Sequence, residues 1–102
     1  MAESLAPYRS QIARLCAAHQ VQRLDLFGST RGKAEPSPAS DVDFLVEFAP
    51  LPPAEYARQY FALREALSRL LGNDVDLVVE RAIRNPYFRA SVERSRESLF
   101  AA

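Results

Sequence analysis

Sulfhydryl chemistry is nearly absent from this 102-residue chain, which has one cysteine, Cys16. It cannot form an intramolecular disulfide, and with His19 as the only histidine there is no Cys/His cluster to hold structural zinc. A reducing cytoplasm is the expected compartment. Long apolar runs are missing too: none approaches the ~20 residues of a membrane span. The N-terminus also lacks the basic segment and apolar run of a secretory leader. Charge of one sign is likewise lacking, since thirteen Lys/Arg balance thirteen Asp/Glu. That balance excludes a polycation that coats nucleic acid or an acidic surface, because such binding needs a large positive field. Any electrostatic function must be local. What remains, 48% hydrophobic and 25% charged residues without repeats or low-complexity tracts, is expected to form one domain over 1–102. At this length a chain buries roughly two-thirds of its unfolded surface, enough for one core.

The periodicities alternate between helix and strand. Leu5, Tyr8, Ile12, Leu15 and Cys16 recur at helical spacing behind Ser4 as N-cap, predicting a helix from Leu5 to His19. Val21–Phe27 reads as a strand with Leu24 and Leu26 on one face and Arg23 and Asp25 on the other. A turn-rich connection with Pro36 and Pro38 runs to Ser40, long enough to suggest a use beyond joining strands. From Asp41 to Phe48 an apolar face (Val42, Phe44, Val46, Phe48) alternates with a largely acidic one (Asp41, Asp43, Leu45, Glu47). Pro52 and Pro53 open an amphipathic helix whose stripe runs from Tyr56 to Leu71, with Gly72 placed to end it. Val75–Glu80 is a third strand. Asn85 and Pro86 resemble an N-cap and first helical residue, starting a helix to about Leu99. The expected class is α/β (α+β): a small mixed sheet of three strands, a fourth left open, flanked by helices. A helical crossover between the second and third strands suits a parallel pair. Their starts then lie side by side, and Asp41, Asp43 and Asp76 converge at one end of the sheet.

That convergence carries the chemistry. Asp41 and Asp43 project from one face, and at ~4 Å two such charges repel by about 4 kcal/mol for an effective dielectric near 20. A cation would resolve the repulsion, and two or three carboxylates plus substrate phosphates suit hexacoordinate magnesium. Just upstream a strand ends in Phe27-Gly28-Ser29. Glycine permits close backbone approach to a phosphate, and the serine hydroxyl and nearby N–H groups can donate to its oxygens. Alone, Asp-x-Asp reads equally well as a solvated strand start and Gly-Ser as an ordinary turn. Together with Asp76 they point to a nucleotide and metal site.

These motifs resemble the minimal nucleotidyltransferases of the DNA polymerase β-like superfamily, small antitoxin-type proteins paired with HEPN-domain toxins. The resemblance rests on Leu26–Ser29, Arg31-Gly32-Lys33-Ala34, Ser40–Phe48, Val75–Val78 and Arg84-Asn85-Pro86-Tyr87. It implies that Gly28 and Ser29, with Arg31 and Lys33, bind the nucleotide, and that Asp41, Asp43 and Asp76 form the catalytic, metal-binding triad. It further implies two Mg2+ ions, ATP as substrate, and transfer of AMP to a hydroxyl, a tyrosine of a cognate HEPN-type toxin. Metal ions in such a site polarise the α-phosphate and neutralise the leaving pyrophosphate. Neither a membrane nor direct nucleic-acid binding is expected, and a homo-oligomer is left open.

Other residues have plainer readings. His19 suits a helix C-terminus, Cys16 the core, Asp74 a turn, and Glu47 and Glu80 solvated surface. Arg81, Arg84, Arg89, Arg94 and Arg96 face only Glu93 within their span, giving a local excess of positive charge. This segment suits a solvated helix face, triphosphate neutralisation by Arg81 or Arg84, or contact with an acidic partner. Two other functions stay open: an antitoxin that neutralises by occlusion over a vestigial nucleotide site, and a transferase for small molecules.

Overall fold

The computed structural model describes residues 3–27 and 42–102. Gly28, Ser29, Arg31, Lys33 and Asp41 lie outside the described residues. The chain opens with a 3-10 segment, Glu3–Tyr8, that contains Pro7, and the α-helix proper, α1, spans Arg9–Ala18. The predicted single helix from Leu5 is thus divided: proline lacks the N–H that an α-helical interior uses, so regular helix begins after it. Tyr8, not Ser4, is the residue preceding α1.

Strand β1 (Val21–Leu26) leads to β2 (Val42–Phe48), helix α2 (Pro53–Leu71), strand β3 (Val75–Val79), helix α3 (Pro86–Ser95) and strand β4 (Glu97–Ala101). The sheet has the order β3-β2-β1-β4; β2 and β3 are parallel and the other pairs antiparallel. A fourth strand therefore exists, and the last helix stops at Ser95 instead of near Leu99. From Glu97 onward the backbone hydrogen-bonds to β1, and Leu99 is buried in the core.

One sheet face carries Leu24, Leu26, Val42, Phe44, Val46, Phe48 and Leu77, packed against Ile12 and Cys16 of α1 and Leu63 and Leu67 of α2. The other carries Phe27 and Leu45, covered by Val92 of α3, with Val78 and Ile83 packed against them. Local signals end the helices as expected. Gly72 stops α2 with a left-handed φ of 70° that residues with a Cβ avoid. The Asn85 side chain accepts the Tyr87 and Phe88 N–H groups at 2.8 and 3.1 Å, capping α3. His19 ends α1, and its Nδ1 lies 2.9 Å from Gln59 Oε1 on α2, tying the two helices together. The Tyr60 hydroxyl donates to the Leu77 carbonyl at 2.6 Å, fixing α2 on β3. No helix among the described residues is long and apolar enough to cross a membrane.

Two outcomes test this packing. Burial pushes the Cys16 thiol up to about 12, so a thiol reagent at neutral pH should leave the folded chain untouched and titrate one group after denaturation. Rapid labelling of folded protein would show that α1 does not seal the core. Nothing lies within 4 Å of a Cβ built on Gly72, so Gly72→Ala should cost only the backbone term, about 1–2 kcal/mol in urea denaturation.

Candidate active site

Parallel register places Asp43 of β2 opposite Asp76 of β3 at the start of both strands. Successive strand residues alternate faces, so the two carboxylates share the face of Leu45 and Val78. Asp43 is half-buried and Asp76 exposed. The strand starts are held level by the Val42 N–H, which donates to the Asp74 carbonyl at 3.0 Å. Asp74 thus serves through its backbone, and its side chain is exposed, in keeping with the turn reading.

The antiparallel strand β1 runs to the same end. Leu26 pairs with Phe44, and the Phe27 N–H donates to the Asp43 carbonyl at 3.1 Å. Phe27, the last described residue before the connection, therefore lies beside Asp43. The first turn of α3 borders this end: the Phe88 ring meets the Phe27 ring edge-on, centroids 6.0 Å apart. The structure therefore brings together Asp43, Asp76 and Phe27. Among the described residues no group of three or more His, Cys, Asp or Glu is assembled; Asp41, the third carboxylate of the expected triad, falls outside them.

The arginine-rich segment is divided: part of it stays solvated, and part turns inward to carboxylates of the fold. The Arg81 guanidinium bonds Glu47, four residues and about 13 Å along β2 from Asp43. Arg89 donates to the Glu80 carbonyl at 3.0 Å. Arg96 reaches furthest: Nε donates to Asp25 Oδ2 at 2.6 Å, Nη1 and Nη2 to the two Glu80 carboxylate oxygens at 3.1 and 3.0 Å, and Nη1 also to Glu93 at 2.8 Å. Glu47 and Glu80 are accordingly ion-paired and half-buried, and reading them as solvated surface is corrected. Arg81, Arg84 and Arg94 remain exposed. A charged cleft of about 640 Å³, lined by Arg23, Glu47, Glu80, Arg81 and Arg89, sits at the opposite end of the sheet from Asp43 and Asp76.

Sequence reasoning missed Asp25. It is fully buried, and its carboxylate also takes Arg23 Nε at 3.2 Å. The available signal was Leu45, an apolar residue on the face otherwise read as acidic and outward.

This arrangement is a mixed sheet with two carboxylates level at adjacent strand starts. Residues 9–99 match the nucleotidyltransferase domain family, and the chain belongs to it. An inferred protein adenylyltransferase of Methanocaldococcus jannaschii is 43% identical over 75 residues, 74% of this chain and 72% of the relative. A solved structure of an inferred minimal nucleotidyltransferase is 35% identical, with 95% of each chain covered and a TM-score of 0.73. At 24% identity the fold is also shared, with a TM-score of 0.64, by a chain from the complex of a tri-AMPylated HEPN toxin with its MNT antitoxin from Shewanella oneidensis. That match covers 94% of this chain and 71% of the other.

The Arg96 cluster generates the predictions here. Removing one partner of a buried ion pair strands the other charge, at a cost of about 3–5 kcal/mol. Arg96→Met should therefore lose about that much stability in urea denaturation, while a loss below ~1 kcal/mol would show the cluster to be dispensable. The hydrogen bonds from Arg96 hold the Glu80 carboxyl below the usual carboxylate range. A depressed folded-state value means that this stabilisation is present above the unfolded value and lost as pH falls through the folded one. Glu80→Gln should flatten the acid limb of the stability profile; an unchanged limb would place the acid sensitivity elsewhere.

Proposed function

We propose that this chain, as one domain over 1–102, transfers AMP from ATP to a tyrosine hydroxyl of a HEPN-type toxin and acts as that toxin's antitoxin. The observation that carries the reading is the pairing of Asp43 with Asp76, with the end of β1 at Phe27 beside them. The donor set fits magnesium: hard carboxylate oxygens from neighbouring strands, with no described protein cation hydrogen-bonded or ion-paired to Asp76. Asp43, Asp76 and Asp41 are the residues that would hold it, and bound there it would neutralise charge on the triphosphate.

The remaining roles fall to the chain itself. Gly28 and Ser29 cradle the phosphates, with Arg31 and Lys33 supplying positive charge from the same connection. Asp76, the more exposed carboxylate, accepts the proton of the incoming hydroxyl. β1 and β2 hold Phe27 and Asp43 in fixed relation, so phosphate-binding and carboxylate groups stay aligned during transfer.

The test is transfer of label from α-labelled ATP to a HEPN-type toxin in the presence of magnesium. Wild type should label the toxin and chelation should abolish labelling. Asp43→Asn should lower the rate by at least about 100-fold, or about 2.7 kcal/mol of transition-state stabilisation. Undiminished transfer by Asp43→Asn would overturn the assignment of the carboxylates. Full rescue of growth by Asp43→Asn at equal abundance would show that occlusion suffices.

A further inference from the structure

We infer that Tyr87 is an acceptor for the chain's own nucleotidyl transfer, so that the protein carries a self-modification site at the border of its active site; the inference rests on the transfer reading above. The chain has four tyrosines, and three are held in the fold. The Tyr56 hydroxyl is buried without a hydrogen-bond partner, the Tyr60 hydroxyl donates to the Leu77 carbonyl at 2.6 Å, and Tyr8 packs half-buried against the core. Tyr87 stands apart, 85% exposed.

The backbone that carries it is fixed through a short series of contacts. Asp43 accepts from the Phe27 N–H, Phe27 packs against Phe88, and Phe88 is the next residue after Tyr87 in the capped first turn of α3. Tyr87 is therefore carried on a capped helix start whose Phe88 reaches the end of β1 beside Asp43. No acidic residue occupies that first turn, and Arg84 is exposed three residues upstream. A helix N-terminus and a nearby guanidinium both favour a negatively charged product.

In the step, the Tyr87 phenol oxygen forms a bond to the α-phosphorus of a nucleoside triphosphate. The bond from that phosphorus to the α,β-bridging oxygen breaks, and pyrophosphate leaves with the electron pair. The phenol proton passes to Asp76 and then to water. The product is a tyrosyl phosphodiester of the nucleotide, and no redox change is involved.

The experiment uses the full chain with α-labelled ATP and magnesium, peptide mass mapping, and calorimetric ATP binding on the same samples. Tyr87→Phe removes only the acceptor oxygen and keeps the Asn85 cap and the Phe88 packing. The expected result is one added AMP on the peptide containing Tyr87 and loss of that adduct in Tyr87→Phe. If ATP binds, with binding lost in Asp43→Asn, yet Tyr87 gains no AMP, or if labelling is undiminished in Tyr87→Phe, the inference is overturned while the site reading stands. If ATP with magnesium neither binds nor transfers, the transfer reading falls and the inference falls with it.

Discussion

The guanidinium of Arg96, enclosed between Asp25 and Glu80, is the contact on which the second face of the sheet depends. It joins three parts distant in sequence: β1 through Asp25, the end of β3 through Glu80, and the last turn of α3 through Glu93 and its own backbone. Desolvating such charges is costly, and the arrangement is sustained because the planar fork engages both Glu80 oxygens while its Nε reaches Asp25. With α3 held there, Val92 covers Phe27 and Leu45, and Phe88 reaches the end of β1. The chain also turns at Arg96 from helix into β4, so the same residue governs where the fourth strand begins.

This dependence separates the two sides of the sheet by physics. The face under α1 and α2 is apolar and held by burial, with Phe44 and Phe48 fully enclosed. The face under α3 has a small apolar patch between charged ends: ion pairs at one end, Asp43 and Asp76 at the other. Carboxylates directly opposite one another are unfavourable in a sheet. At the ion-paired end arginines offset that cost internally. At the other end Asp43 and Asp76 lie level on neighbouring strands, with Asp76 exposed.

The zero net charge thus has a spatial meaning. Arg81, Arg89 and Arg96 are spent on Glu47, Glu80 and Asp25, which leaves Arg84 and Arg94 as the exposed positive charge of the basic segment without a described acidic partner. Arginine suits this use better than lysine, because its several donors satisfy two or three carboxylates at once.

Much was legible in the sequence because it depends on local chemistry. Period-2 alternation in Val42–Phe48 placed Asp43 on the face opposite the core, Gly72 and Asn85-Pro86 marked helix ends, and a helical crossover implied parallel strands that bring Asp43 level with Asp76. What the sequence by itself determined was the elements, their facing and the level of the carboxylates, since each follows from spacing and crossover length. Tertiary structure alone decided that Glu97–Ala101 is a strand, that Asp25 is buried, and which carboxylates the C-terminal arginines reach. Glu97–Ala101 lacks the β-branched run that announced Val75–Val79, and it becomes a strand because the edge of β1 offers unpaired backbone groups. Asp25 and Arg96 are 71 residues apart, and no periodicity within either segment encodes a partner that distant.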